Sequence, residues 1–273
     1  MTALSKPLLG KTAIVTGAAR GLGLDYAMRL AQLGCNIAIC DKSLDSAKEY
    51  EQEAARLVDG DLERTLSQSG TGTLLREVDA TDELAVRDFI QEVAGAFGTV
   101  DVLVCNAGGG GNLGGSAASE LTSNDLSAVF ARNFNATVYC ITAAASYMKA
   151  QRFGRIINVS SFMGVMALGK GLGADYATSK AAVAHYTRYL AQDLAPYGIT
   201  ANVIAPGYIA TGQFETRLGK ADPHRYEAWR SSIPLGRFGK PADCTHVVEF
   251  LATSEYVTGQ VICVDGGLIR GAS

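Results

Sequence analysis

Seven short apolar runs alternate with segments whose apolar residues recur at helical spacing, and this alternation constrains the fold of the 273-residue chain most strongly. The runs are rich in β-branched residues, and the first three end in glycine or an acid. Because they are apolar on both faces, they predict parallel strands covered on both sides by helices. They lie at residues 11–17, 36–41, 72–79, 100–108, 154–161, 198–207 and 260–267.

The intervening segments predict the helices of an α/β fold. Right-handed crossovers favour a doubly wound (Rossmann) sheet of seven parallel strands in the order 3-2-1-4-5-6-7, with helices on both faces. No linker rich in Pro, Gly or Ser divides the chain, so residues 1–273 are predicted to form a single domain. The predicted helices cover 22–34, 43–57, 82–98 (capped by Asp82 or Thr81), 123–150, 174–196, 212–231 and 241–252.

Two stretches look irregular, at 58–72 and 108–120. The second is glycine-rich and follows the fourth strand, where loops border the ligand crevice of such a sheet. It is either a wall of the substrate site or a surface loop without fixed structure.

Composition excludes several classes of function. The net charge is −3 and no long basic run occurs, so no nucleic-acid partner is expected. No apolar run is long enough to span a membrane, and the N-terminus lacks a secretory signal, so we expect a cytoplasmic protein. The six cysteines form no C-x-x-C pair and are interpreted as free thiols. The three histidines lack ligand spacing, so no metal site is predicted.

The stretch TGAARGLG joins the first strand to the first helix and predicts a dinucleotide phosphate loop. Gly17 permits the tight turn, while Gly21 and Gly23 let the backbone approach a pyrophosphate at the helix N-terminus. Asp41 ends the second strand, where a carboxylate can bind the adenosine ribose hydroxyls and would repel a 2′-phosphate. Arg20 argues the other way, because an arginine can meet that phosphate. We weigh Asp41 more heavily and predict NAD as the cofactor.

The pair Tyr176 and Lys180, in YATSK, lies one helical turn apart and therefore on one face of a helix. It is either a pair of surface neighbours or a catalytic pair. Tyrosine has a pKa near 10 and is a weak base at neutral pH. An ammonium about 4 Å away would lower that pKa by roughly 3 units, and Lys180 is expected to do so.

In order along the chain, TGAARGLG, CNAG, an Asn in ARNFNA, NVSS, YATSK and APGYIAT resemble the motifs of the short-chain dehydrogenase/reductase family over residues 8–268. The resemblance implies hydride transfer between a nicotinamide dinucleotide and an alcohol or ketone, with a small-molecule substrate. It implies catalytic roles for Asn133, Ser161 (rather than Ser160), Tyr176 and Lys180. It implies cofactor binding by Gly17, Arg20, Gly21, Leu22, Gly23, Asp41, Asp79, Ala80, Asn106, Ala107, Gly108, Tyr176, Lys180, Pro206, Gly207, Ile209 and Thr211.

In the implied mechanism, Tyr176 takes the alcohol proton, Ser161 holds the alcohol oxygen and Asn133 positions a relay water. The chain departs from the family in two places: Cys105 stands where the family often has Asn, and the gap of 15 residues from Ser161 to Tyr176 is slightly long. The resemblance further implies a homotetramer or homodimer.

Three functions remain open from the sequence. The first is an NAD-dependent dehydrogenase of a secondary alcohol, polyol or sugar. The second is an NADPH-dependent 3-oxoacyl-thioester (acyl-carrier-protein) reductase, which IPLGRFGKP resembles. The third is a dinucleotide-sensing protein without catalysis. Residues 212–232 are expected to cover the substrate. The basic residues of this segment either bind a polar substrate or form a solvated helix face. Trp229 is either a wall of the substrate site or part of the core or of an interface.

Overall fold

The computed structural model describes residues 6–110, 117–167, 171–216 and 222–269. Their strands form one parallel sheet in the order β3-β2-β1-β4-β5-β6-β7, which confirms the predicted topology. Each strand lies inside, or coincides with, one of the predicted apolar runs. The strands are β1 (Thr12–Thr16), β2 (Asn36–Asp41), β3 (Thr73–Glu77), β4 (Val102–Cys105), β5 (Gly154–Val159), β6 (Ile199–Pro206) and β7 (Val261–Val264).

Helices cover both faces of this sheet. They are α1 (Gly21–Gln32), α2 (Glu51–Ala54), α3 (Leu62–Ser67), α4 (Glu83–Phe97), α5 (Ser123–Phe130), α6 (Ala136–Gln151), α7 (Ala174–Leu194), α8 (Gly212–Phe214), α9 (Pro223–Ser232) and α10 (Pro241–Thr253).

Alternate residues of β1 pack into two separate hydrophobic layers, one on each face of the sheet. Ala13 and Val15 pack with the side of α1 and α10, whereas Ile14 packs with the side of α4, α6 and α7. Strand side chains alternate between faces, so a strand buried on both faces needs the continuous apolar run that the sequence carries. Among the described residues, no helix is both long enough and apolar enough to cross a membrane.

The predicted helix over 43–57 is wrong. A 3₁₀ turn at Ser46–Glu49 and the short α2 replace it, and the chain is extended at Tyr50 (φ −129°, ψ 116°) between them. The stretch 58–72, predicted irregular, contains α3, which Asp61 caps by accepting from Arg64 N. The break has a tertiary cause, because Tyr50 packs under Arg20 and Glu53 is buried against the phosphate loop.

Two other predicted helices are interrupted. The segment 123–150 contains a π-helical turn at Ala131–Asn135 between α5 and α6. The segment 212–231 begins with α8 and ends in α9, while residues 217–221 lie outside the described part. Of the two proposed caps for α4, Asp82 is the one observed, accepting from the N–H groups of Leu84 and Ala85.

Candidate active site

A cleft of about 1070 Å³ runs along the carboxyl ends of the strands. Such an edge is where open parallel sheets bind ligands. The cleft brings together all of the predicted site residues except Asn133, which is fully buried beside it. The residues that line it are Gly17, Arg20, Gly21, Leu22, Gly23, Asp41, Asp79, Ala80, Asn106, Ala107, Gly108, Ser161, Tyr176, Lys180, Pro206, Gly207, Ile209 and Thr211.

The residues that directly follow β4 hold the phosphate loop in place. Asn106 donates from Nδ2 to the carbonyls of Thr16 and Gly17, at 3.1 and 2.8 Å. The hydroxyl of Thr16 accepts from the N–H groups of Asn106 and Ala107. A side chain at Gly23 would bring its Cβ to 2.6 Å from Asn106 Nδ2, so this position has room only for glycine.

The loop suits a pyrophosphate. An α-helix leaves the N–H groups of its first turn without intrahelical acceptors. At the start of α1, the N–H of Gly21 is taken by Glu53, at 2.7 Å, while Leu22 and Gly23 line the cleft behind it. Their N–H groups and the positive end of the helix can bind an anion, so these residues fit the phosphates of a dinucleotide.

Carboxylates dominate the end of the cleft at β2. Asp41 Oδ2 accepts from Ala19 N at 3.0 Å. The nearby cations have carboxylate partners of their own: Lys42 pairs with Asp79 at 2.8 Å, and Arg20 lies 3.9 Å from Glu49 and over the ring of Tyr50. Arg20, the residue that argued for a 2′-phosphate, therefore lies near a carboxylate, but among the described residues its Nη1 has no hydrogen-bond partner.

The pair expected to hold the alcohol oxygen is present. Ser161 is buried just after β5, and its Oγ accepts from Met163 N at 3.2 Å. Burial raises the pKa of Tyr176, and the hydrogen bond with Ser161 opposes that rise. The predicted lowering of this pKa by Lys180 is therefore wrong for the chain's own groups, because desolvation of the phenol outweighs them.

Lys180 is almost fully buried, and its Nζ donates to the Val159 carbonyl at 2.8 Å. The same Nζ lies 5.8 Å from the centre of the Tyr176 ring. Burial lowers the pKa of Lys180 to about 8, so the side chain stays mostly charged at neutral pH. Ser160 turns away from Ser161 and donates to the Lys180 carbonyl at 2.8 Å, which fixes α7 against β5.

Asn133 lies on the π-helical turn, and its amide is fully occupied by backbone. Its Oδ1 accepts from Gly109 N at 2.9 Å, and its Nδ2 donates to the carbonyls of Gly109 and Val129. In this arrangement Asn133 holds the start of the glycine-rich loop, of which Gly108, Gly109 and Gly110 line the cleft. Residues 111–116 of that loop lie outside the described part.

The segment after β6 forms one wall of the cleft. Gly207 N donates to the Val264 carbonyl, and a Cβ at this glycine would lie 2.7 Å from Asp265 Cα. Ile209 pairs with Gly239 through a parallel bridge, and Thr211 caps α8 by accepting from Phe214 N. These contacts fix Pro206, Gly207, Ile209 and Thr211 along one wall.

Sequence reasoning missed an aromatic wall close to Ser161. Tyr208 stacks on Trp229 with ring centres 4.5 Å apart and an angle of 14°. Tyr208 also meets Phe162, the neighbour of Ser161, at 4.9 Å, and Phe214 extends the wall. Trp229 therefore lines this cleft, which favours the substrate-wall alternative. The signal was present in the sequence, since Tyr208 directly follows Gly207.

Residues 212–232, which were expected to cover the substrate, are called the lid from here on. Among its described basic residues, Arg225 lies over the Trp229 ring at 4.7 Å and lines the cleft. Arg230 pairs with Glu227 on the exposed face, His224 is exposed, and Arg217 and Lys220 fall outside the described residues. Met163 and Leu172, from the long stretch between Ser161 and Tyr176, add apolar surface.

Comparison with known proteins agrees with this geometry. A family model described as enoyl-(acyl carrier protein) reductase matches residues 17–269. The chain is 42% identical to cyclohexanol dehydrogenase of Rhodococcus sp. (strain TK6), over 96% of this chain and 97% of that protein. It is 34% identical to the 3-oxoacyl-(acyl-carrier-protein) reductase FabG of Staphylococcus aureus, over 94% and 98%.

A solved structure of a short-chain type dehydrogenase/reductase from Mycobacterium marinum matches with a TM-score of 0.84 and 30% identity, over 96% of this chain and 97% of that one. The fold and the cleft define an oxidoreductase that uses a nicotinamide dinucleotide. The chain belongs to the short-chain dehydrogenase/reductase family.

Proposed function

We propose that this chain is an NAD-dependent dehydrogenase that oxidises apolar cyclic secondary alcohols to ketones, and reduces such ketones in the reverse direction. The observation that carries the proposal is the single cleft in which Ser161 and Tyr176 lie between a carboxylate-lined end at Asp41 and an aromatic wall at Tyr208 and Trp229.

In the proposed reaction, Ser161 and the Tyr176 phenol hold the alcohol oxygen, and Tyr176 accepts its proton. Bound NAD would accept the hydride and place a positive ring in the cleft, which can lower the Tyr176 pKa that burial raises. Lys180, charged below a pKa of about 8, adds a fixed positive charge beneath the phenol.

The preference for NAD rests on charge at the β2 end of the cleft. Asp41, Glu49 and Asp79 line it, and the last two lie beside Arg20 and Lys42. A 2′-phosphate would meet the Asp41 carboxylate, and the two described cations nearby, Arg20 and Lys42, each already face a carboxylate. The other cofactor residues would hold the pyrophosphate and nicotinamide through backbone groups.

The substrate class rests on the opposite end. Tyr208, Phe214, Trp229, Met163 and Leu172 give the substrate apolar walls, which suit a hydrocarbon ring better than a sugar or polyol. The name of the relative at 42% identity, cyclohexanol dehydrogenase, supports the same choice.

A second candidate is an NADPH-dependent 3-oxoacyl-thioester reductase, because a relative at 34% identity has that name. The carboxylates around Asp41 oppose NADPH, and this is why it ranks second.

The test is formation of NADH from NAD, and of NADPH from NADP, by the purified protein with cyclohexanol, a sugar alcohol and a 3-hydroxyacyl thioester in parallel. Turnover restricted to the cyclic alcohol, and absent in Tyr176→Phe, supports the proposal. Preference for the thioester with NADP would replace it with the second candidate.

We further propose that the chain assembles as a homotetramer or homodimer. Strand β7 is an edge of the sheet, and near it Phe250 and Tyr256 are large, exposed side chains. A monomer in a sizing measurement would contradict this.

A further inference from the structure

Glu53 is a buried carboxylate with a solvent exposure of only 2%. Among the described residues it forms no ion pair, because the adjacent Arg56 is paired with Asp25. A buried charge is costly unless hydrogen bonds compensate it. Its compensation here comes entirely from backbone.

The two carboxylate oxygens divide between two functional segments. Oε2 accepts from Gly21 N at 2.7 Å, in the phosphate loop. Oε1 accepts from Gly212 N at 2.9 Å, at the first residue of the lid. Hydrogen bonds to an ionised acceptor are stronger than neutral ones, so this bridge is a firm link between the segments.

Packing alone does not hold Glu53 in place. A second cavity, of about 360 Å³, lies on its other side, and Gly21, Glu53 and Thr211 line both this cavity and the main cleft. Gly212 approaches so closely that an added Cβ would lie 2.7 Å from Glu53 Cγ. The side chain therefore borders open space at the cavity but is in tight contact with Gly212, so that a shift of the carboxylate toward Gly212 displaces the start of the lid.

We propose that Glu53 is a positioning residue that transmits occupancy of the pyrophosphate site to the substrate lid, an inference that rests on the dinucleotide-dependent function proposed above. An anion at the first turn of α1 repels the carboxylate beside it. Repulsion weakens the bond to Gly21 and shifts the carboxylate toward Gly212. The start of the lid at Gly212, the lid root, then moves. Phe214 transmits this movement to Trp229, because the centres of their rings are 6.3 Å apart.

Trp229 is the only tryptophan of the chain, so its fluorescence reports on the lid. ADP-ribose is a suitable probe because it carries the pyrophosphate but not the nicotinamide, which quenches tryptophan directly. Calorimetry measures ADP-ribose binding independently of the emission. The variant is Glu53→Gln, and the matched control is Glu51→Gln, which removes the same charge from an exposed position in α2.

The proposal expects ADP-ribose to shift Trp229 emission in the wild type and in Glu51→Gln. In Glu53→Gln, ADP-ribose should still bind but the shift should be lost, because the Gln amide has one acceptor oxygen and cannot accept from both Gly21 N and Gly212 N. An unchanged shift in Glu53→Gln, or no shift in the wild type despite binding, would overturn the proposal. So would an equal shift of Trp229 emission with adenosine, which lacks the pyrophosphate that the proposed repulsion requires.

If Glu53→Gln does not fold, Gly212→Ala decides, because its added methyl displaces the lid root from an intact carboxylate. Loss of the shift with retained ADP-ribose binding is expected there, and a wild-type shift would refute the link. If ADP-ribose fails to bind the wild type at all, the proposed function fails as well, which distinguishes that outcome from failure of the Glu53 link alone.

Discussion

The two ends of the cleft are built from different kinds of group. At the dinucleotide end, backbone N–H groups, glycines and carboxylates define the site, and Asn106 and Asp41 fix the loop by hydrogen bonds. At the substrate end, aromatic rings from the β6 loop and the lid form the wall. The binding energy of a charged ligand depends strongly on individual charged groups, whereas an apolar wall contributes through the sum of many weak contacts. We therefore expect single substitutions to have large effects near Asp41 and Tyr176, and graded effects at Trp229.

Tyr176→Phe should have the largest effect, because it removes the phenol that accepts the alcohol proton between the two ends of the cleft. We expect kcat to fall by about a thousandfold or more. NADH affinity, measured by fluorescence titration, should stay within a few fold, since backbone groups hold the cofactor. A variant that keeps near-native turnover would show that another group takes the proton.

Asp41→Asn should alter the dinucleotide end alone. The amide keeps an acceptor for Ala19 N but removes the charge. We expect kcat/KM with NADP to rise by about a hundredfold, less than the full Coulomb term because Asp41 is partly exposed. Steady-state kinetics with both cofactors measures this. Asp45→Asn, on the exposed turn that follows, is the control and should change neither value; an unchanged NADP rate in Asp41→Asn would contradict the charge argument.

Lys180 lies where the two ends meet, and its burial predicts a pH effect on stability. The pKa of Lys180 is about 8 in the folded protein and 10.5 in the unfolded chain. Between these values the unfolded chain binds more protons, so the free energy of unfolding contributed by Lys180 should rise with pH. The rise amounts to about 3 kcal/mol at most.

Urea unfolding of the wild type and of Lys180→Met across that window measures the effect. Titrations common to both proteins cancel in the difference. A difference that stays constant, or falls as pH increases, would show that the lysine is not desolvated as the structure indicates.

Trp229→Leu should have the smallest effect and should separate substrates by shape. Loss of the stacked ring should lower kcat/KM for cyclohexanol by about tenfold, while propan-2-ol changes little. Trp229→Phe, which keeps a ring, should retain most of the cyclohexanol activity. Equal losses for both alcohols would place Trp229 in lid folding rather than in substrate contact.

The sequence predicted the dinucleotide end better than the substrate end, for a physical reason. Gly17, Gly23 and Asp41 could be assigned because a strand, a tight turn and a helix N-terminus impose local requirements on residue type. The seven strands were equally accessible, because burial on both faces leaves an unbroken apolar run.

The remaining features depend on contacts between distant segments. The helix predicted over 43–57 breaks at Tyr50 because Glu53 accepts hydrogen bonds from both Gly21 and Gly212. The local sequence pattern of residues 43–57 does not indicate these distant contacts. The Tyr208–Trp229 stack joins residues of two elements. The direction of the Tyr176 pKa shift follows from desolvation, which spacing along a helix does not reveal.

The most direct test of the account is the ratio of kcat/KM for cyclohexanol oxidation with NAD to that with NADP, measured on the unmodified protein. We expect NADH to form and NAD to be preferred by about a hundredfold or more. Equal use of both cofactors, or preference for NADP, would contradict the claim that the carboxylates at the β2 end select the cofactor. Absence of turnover with confirmed dinucleotide binding would contradict the claim that the aromatic wall receives a cyclic alcohol.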